Sequence, residues 1–161
     1  MNAIRKILVP TDFSAHADEA FRVAHILARA IGADVVLFHV ARPPAVALEG
    51  GPILASQGKS DEAANLWHRF QSIELADPKV RVMHEVIVAD RPSAGQILDI
   101  LDKHGCDLIV MGTHGSSWLK HRLFGSVTEE VVRRARCPVM VVMAPIPARE
   151  PPAPEPAHAS S

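Results

Sequence analysis

Four small residues mark where this 161-residue sequence offers chemistry: Gly112 and Gly115, then Gly125 and Ser126. The first two lie in Gly112-Thr113-His114-Gly115, and nine residues separate Gly115 from Gly125. Lacking a Cβ, Gly112 and Gly115 let the backbone turn tightly and approach a ligand. Gly125 and Ser126 stand at the entrance of a helical segment, Ser126 to Ala135. The free N–H groups of a first helical turn, with the helix dipole behind them, form an anion site, and the Ser126 hydroxyl adds a donor. Between the glycines, Lys120, His121 and Arg122 supplement the positive potential. Ser126-Val127-Thr128-Glu129 also fits a capping box, in which Ser126 and Glu129 satisfy the helix end with no ligand. Spacing alone leaves both readings open.

The elements that must position these residues alternate strand and helix. Ile4 to Val9 is a short apolar run ending at Pro10, and it predicts a buried strand. A helix follows from Ser14, a suitable N-cap, to Ile31, with Phe21, Ala24, Ile26, Leu27 and Ile31 as its apolar residues and Gly32 as its stop. Asp34 to Val40 predicts a second strand, residues 41–60 a Pro- and Gly-rich loop, and Ser60 to Leu75 a helix. A third strand is expected over Val80 to Val88, and a helix from Pro92 to His104 with Ile97, Leu98, Ile100 and Leu101 inward. Asp107 to Met111 and Val139 to Met143 complete five strands. Strands apolar on both faces, separated by helices, argue a parallel sheet covered on each side. The Pro-rich stretch after residue 144 lacks apolar residues and reads as a disordered tail, leaving one domain over 1–144.

Bulk composition excludes several classes of function. Seventeen Lys and Arg against eighteen Asp and Glu leave a net charge of −1, which gives no broad field for nucleic acid or an anionic membrane. No segment has the length and apolarity to span a membrane or serve as a signal peptide, so a cytoplasmic location is expected. Cys106 and Cys137 form no CxxC pair and read as reduced, half-buried thiols. The chain has neither GxGxxG nor GxxxxGK[ST], and the first strand leads into PTDFSAHA, which holds no glycine. A conventional dinucleotide site and a P-loop are both disfavoured.

VPTDFS near the start, DLIVMGTHG, and Gly-x2-Gly-x9-Gly-Ser followed by VTEEVVRRARCPVMVV resemble the universal stress protein family over Ile4 to Met143. The glycine spacing matches that family's ATP-binding branch. The resemblance implies an open, Rossmann-like α/β fold of the adenine nucleotide alpha hydrolase type. Its five-stranded parallel sheet would have the order 3-2-1-4-5 with helices on both faces. That order puts a ligand crevice at the switch point between the first and fourth strands. The resemblance further implies that Pro10, Thr11 and Asp12 lie beside the adenosine and that Val40 lines the adenine. Met111, Gly112, His114 and Gly115 would form the ribose and phosphate loop, and Gly125, Ser126, Val127 and Thr128 the phosphate-binding helix start. ATP or another adenine nucleotide is the implied cofactor, with Mg2+ bridging its phosphates. A homodimer through the fifth strand is the implied assembly, which would cover an apolar edge.

Competing sites are weaker. One acidic residue after a strand, Asp12, does not announce catalysis. The nine histidines complete no ligand set with Cys or Asp and read as surface or loop residues. Trp67 reads as helix packing and Trp118 as packing of the glycine-bounded loop. Three functions stay open: a nucleotide-dependent regulator or sensor in the stress response, a slow ATP hydrolase or phosphotransfer enzyme, and an interaction module whose glycines only cap a helix.

Overall fold

The structure is a computed structural model in which residues 3–41, 79–113 and 124–143 are described. The expected helix over 60–75, the loop before it, both tryptophans, His114, Gly115, the Lys120–Arg122 cluster and the tail at 145–161 lie outside those residues.

Five parallel strands form one sheet in the order β3-β2-β1-β4-β5, as expected. They are β1 (Lys6–Thr11), β2 (Asp34–Ala41), β3 (Val82–Val88), β4 (Leu108–Gly112) and β5 (Val139–Val142). Helix α1 (Ala15–Ile31) covers one face; α2 (Ala94–His104) and α3 (Ser126–Arg134) cover the other. Alternation along the strands splits the core accordingly. Ile7, Val9, Val35, Leu37 and Val110 meet α1, while Leu8, Val36, Phe38, Ile109 and Met111 meet α2 and α3.

Helix α1 buries small residues. Ala17, Ala20, Ala24 and Ala28 face the sheet with Phe21, and they let the helix axis lie close to β1 and β4. Ile26 and Ile31, two of the apolar residues read along this helix, are 51% and 49% exposed, because the buried stripe follows the alanines. His25 is a second correction: it lies on that stripe, 5% exposed, and not on the surface. Ser14 caps α1 and Gly32 closes it in the left-handed conformation, both as expected. Helix α2 begins at Ala94 rather than Pro92, because Ser93 and Gln96 form a complete capping box there.

Strand β1 runs through Pro10 to Thr11, beyond its expected end. The Lys6 carbonyl accepts from Asp107 of the β4 side and the Arg5 carbonyl from Asp34 of the β2 side, so even-numbered residues of β1 address β4. The missing donor of Pro10 therefore faces β4, and the described β1–β4 ladder stops at Leu8–Ile109 because the next rung would need that amide.

Candidate functional site

The early end of the β1–β4 ladder opens the site. These strands are in register only at Ile7–Leu108 and Leu8–Ile109 among the described residues. Beyond that point β1 follows β2 as far as Thr11–His39, and β4 follows β5 as far as Gly112–Val142. The chain connections also diverge here, β1 leading through α1 to β2 on one side and β4 through α3 to β5 on the other. That is the switch point at which open α/β sheets hold ligands.

One wall is the turn from β1 into α1. The Thr11 hydroxyl accepts from the Phe13 amide at 3.0 Å, and an Asp12 carboxylate oxygen accepts from the Ser14 amide at 3.1 Å. Short side chains that bond the backbone two residues ahead build such turns without glycine. Phe13 takes a left-handed φ of 59°, a conformation a bulky residue adopts only when its surroundings hold it there. Its ring packs on His39 with centroids 4.6 Å apart. His39 Nδ1 lies 2.9 Å from the Thr11 carbonyl oxygen, so that nitrogen carries the proton and donates. The end of β2 thereby braces the turn.

The other wall is the start of α3. Gly125 is its N-cap, at φ −66° and ψ 154°, and no side chain caps the helix. The capping-box alternative therefore fails: Ser126 is the first helical residue, one position too late to act as the cap. The amides of Ser126, Val127 and Thr128 open the helix with no capping side chain among the described residues to receive them. Ser126 is exposed, whereas Val127 packs on the core of the α2–α3 face. Two bonds set this helix start against the end of β4, and a third ties that end to β5. Thr128 donates its hydroxyl to the Gly112 carbonyl at 3.0 Å, Gly125 donates its amide to the Thr113 carbonyl at 2.8 Å, and the Thr113 amide donates to the Val142 carbonyl at 3.0 Å.

The expected site residues that are described lie toward the C-terminal end of the sheet, while His114 and Gly115 fall outside the described residues. Pro10, Thr11 and Asp12 form the first wall. Val40 lies at the end of β2, half-buried against the α2–α3 core. Met111 points into that same core, 5% exposed, so its contribution to the crevice is its backbone. Gly112 has a packing reason to be glycine. A Cβ there would stand 2.8 Å from His16 Cβ and 2.9 Å from the His16 carbonyl carbon and oxygen. Four neighbours escaped the sequence reading: Phe13, His16, His39 and Thr113. Only Thr113, inside GTHG, carried a positional signal. The other three take their roles from φ, ring packing and a helix–strand contact that no spacing rule encodes.

Two further groups lie away from the crevice. Burial pushes the Cys106 thiol up to about 11, and Cys137 is raised by the same cause; both are free thiols, consistent with the sequence reading. Glu85 is held below the usual carboxylate range by hydrogen bonds from Lys103 and His104, which tie β3 to the end of α2.

A parallel sheet wound in both directions from its centre, with a glycine-capped helix starting at the switch point, defines an open doubly wound α/β domain. The family model for the universal stress protein family matches residues 3–143, and the chain belongs to that family. It is 34% identical over 147 residues to universal stress protein MJ0531 of Methanocaldococcus jannaschii, covering 89% of this chain and 85% of that one. It also resembles the solved structure of MJ0577 from the same organism, with a TM-score of 0.68 and 31% identity over 88% of this chain and 97% of that one. A universal stress protein solved in complex with cAMP shares the fold at a TM-score of 0.59 and 22% identity, covering 89% of this chain and 100% of that one.

Proposed function

We propose that this universal stress protein binds an adenine nucleotide, ATP foremost, and acts as a nucleotide-dependent regulator or sensor in the stress response. Its phosphates would rest on the first turn of α3, and its adenosine would lie toward Val40 and the Thr11–Asp12 turn. The observation that carries the reading is the N-terminus of α3, which opens at the switch point with a glycine cap and no capping side chain. The torsions of Gly125 are open to any residue, so backbone conformation does not explain the glycine. Absence of a side chain there leaves the first-turn amides approachable, as anion binding requires. Asp12, half-buried in the opposite wall, can accept from a ribose hydroxyl or an amino group. His114 and Gly115 would complete the phosphate loop.

Among the described residues no three His, Cys, Asp or Glu side chains gather to hold a metal ion. The fit for Mg2+ is therefore one in which the nucleotide's phosphates supply most of its oxygens and the protein few. The bound ion would offset phosphate charge beside Asp12. The reading extends to a cytoplasmic homodimer joined through β5, an edge strand whose Met140 is 38% exposed, with Met143 beyond it 73% exposed.

Denaturing the purified protein and analysing the supernatant should release adenine nucleotide. Nucleotide-free protein should then bind ATP with Mg2+ in a calorimetric titration. The Gly125→Val variant, which the torsions permit, should fold and lose that binding. No released nucleotide and no binding at millimolar ATP would sink the reading, and a turnover assay on the bound complex separates a sensor from a slow hydrolase.

A further inference from the structure

We propose that His16, on the first turn of α1, is a positioning residue of the phosphate cradle and acts through Thr113. The inference rests on the reading of the α3 start as the anion site and goes beyond it by naming what holds that start in place. His16 lies across the crevice from α3 in sequence and in fold, yet it meets the two residues that anchor it. Its Cβ and carbonyl occupy the space beside Gly112 that a side chain would otherwise fill. Its Nδ1 lies 3.3 Å from the Thr113 hydroxyl.

Thr113 is 3% exposed, so its hydroxyl depends on protein partners more than on water. The same residue carries two backbone bonds of the cradle, its amide to Val142 and its carbonyl from the Gly125 amide. Its neighbour Gly112 accepts from Thr128 at the third position of α3. A continuous chain of contacts therefore runs from the α1 first turn through residues 112 and 113 to both ends of the α3 first turn. Where residue 16 has no hydrogen-bonding atom at that place, the buried Thr113 hydroxyl loses the His16 contact. Rotating the 113 unit to find another would move the carbonyl that holds the Gly125 amide. The cradle's amides would then diverge from the geometry a phosphate needs.

The test compares His16→Leu with His16→Asn. Asparagine carries its Oδ1 on Cγ, where histidine carries Nδ1, and so restores a hydrogen-bonding atom; leucine places a methyl there. Two quantities are read: the Kd for ATP with Mg2+, and the hydrogen-exchange rate of the Gly125 amide in nucleotide-free protein. His16→Leu should weaken ATP about tenfold and speed Gly125 exchange about tenfold, the scale of one buried hydrogen bond. His16→Asn should stay within about twofold of the parent on both. Thr113→Val should reproduce His16→Leu, and the double variant should be no weaker than either single one, since both remove one interaction. Equal behaviour of the leucine and asparagine variants, unchanged exchange, or additive losses in the double variant would each overturn the proposal. If the parent protein itself fails to bind ATP, the anion-site reading falls, and Gly125 exchange still decides whether His16 positions the helix start.

Discussion

Replacing Gly112 with alanine separates a packing role from a ligand role at the same residue. The new Cβ would sit 2.8–2.9 Å from three atoms of His16, two of them backbone. Carbon atoms are comfortable at about 3.5–4.0 Å, so the overlap approaches ~1 Å and cannot be relieved by swinging a side-chain tip. The first turn of α1 must move away from β4. That turn is fixed by Ser14 accepting from Ala17 and by Asp12 accepting from Ser14, so the movement reaches the β1 wall as well. Overpacking of this kind costs about 1–3 kcal/mol. For a chain of this length each kcal/mol lowers Tm by about 2–4 °C, which gives a fall of roughly 2–12 °C. The assay is thermal and urea unfolding of nucleotide-free protein, with Gly95→Ala as control. A Cβ at Gly95 meets only Ser93 Oγ at 3.8 Å, and helix propensity there favours alanine by up to about 1 kcal/mol. A Gly112→Ala protein as stable as the parent, beside a control that behaves as expected, would refute the packing argument and leave Gly112 a ligand-approach residue only.

Other expectations follow from single sites. Ser93→Ala removes one half of the α2 capping box and should cost about 1 kcal/mol in urea unfolding; a loss below ~0.3 kcal/mol would mean the cap is dispensable. His25 Nε2 is buried with no hydrogen-bond partner among the described residues, so His25→Leu should leave Tm unchanged or raised, and a clear fall would show that the nitrogen is satisfied. The Cys106 thiol ionises near its ordinary 9.0 when unfolded and near 11 when folded. Its contribution is thus intact below pH 9 and is lost as pH rises toward 11, so Cys106→Ala should show a shallower alkaline loss of stability than the parent. Parallel pH profiles for the two proteins would contradict this.

Strand positions were legible in the sequence wherever apolar runs met turn residues, and the doubly wound order followed from the resemblance. Errors came from local competition that patterns do not resolve. Pro10 looked like a stop, yet it ends only the ladder to β4, and pairing with β2 carries the strand on to Thr11. Ile26 and Ile31 fell within the apolar period of α1, yet the buried stripe follows its alanines and leaves both half-exposed. Pro92 looked like a helix start, and the Ser93–Gln96 box that begins one residue later outcompeted it. At the site, the glycine after β4 and the glycine before α3 were visible from spacing. Their distinct reasons were not: Gly112 yields space to His16, whereas Gly125 has unremarkable torsions and an uncapped helix behind it. The contribution of His16 depends on a contact between residues 97 positions apart in sequence, which only the fold supplies.

The central claim is that the first turn of α3 holds the phosphates of an adenine nucleotide. Backbone amide resonances of the isotope-labelled protein, followed through a titration with ATP and Mg2+, test it most directly. The account predicts saturable shifts that are largest at Gly125, Ser126, Val127 and Thr128, with smaller ones at Asp12 and Val40. Resonances at 125–128 that stay fixed at millimolar ATP, or shifts confined to another edge of the sheet, would contradict it.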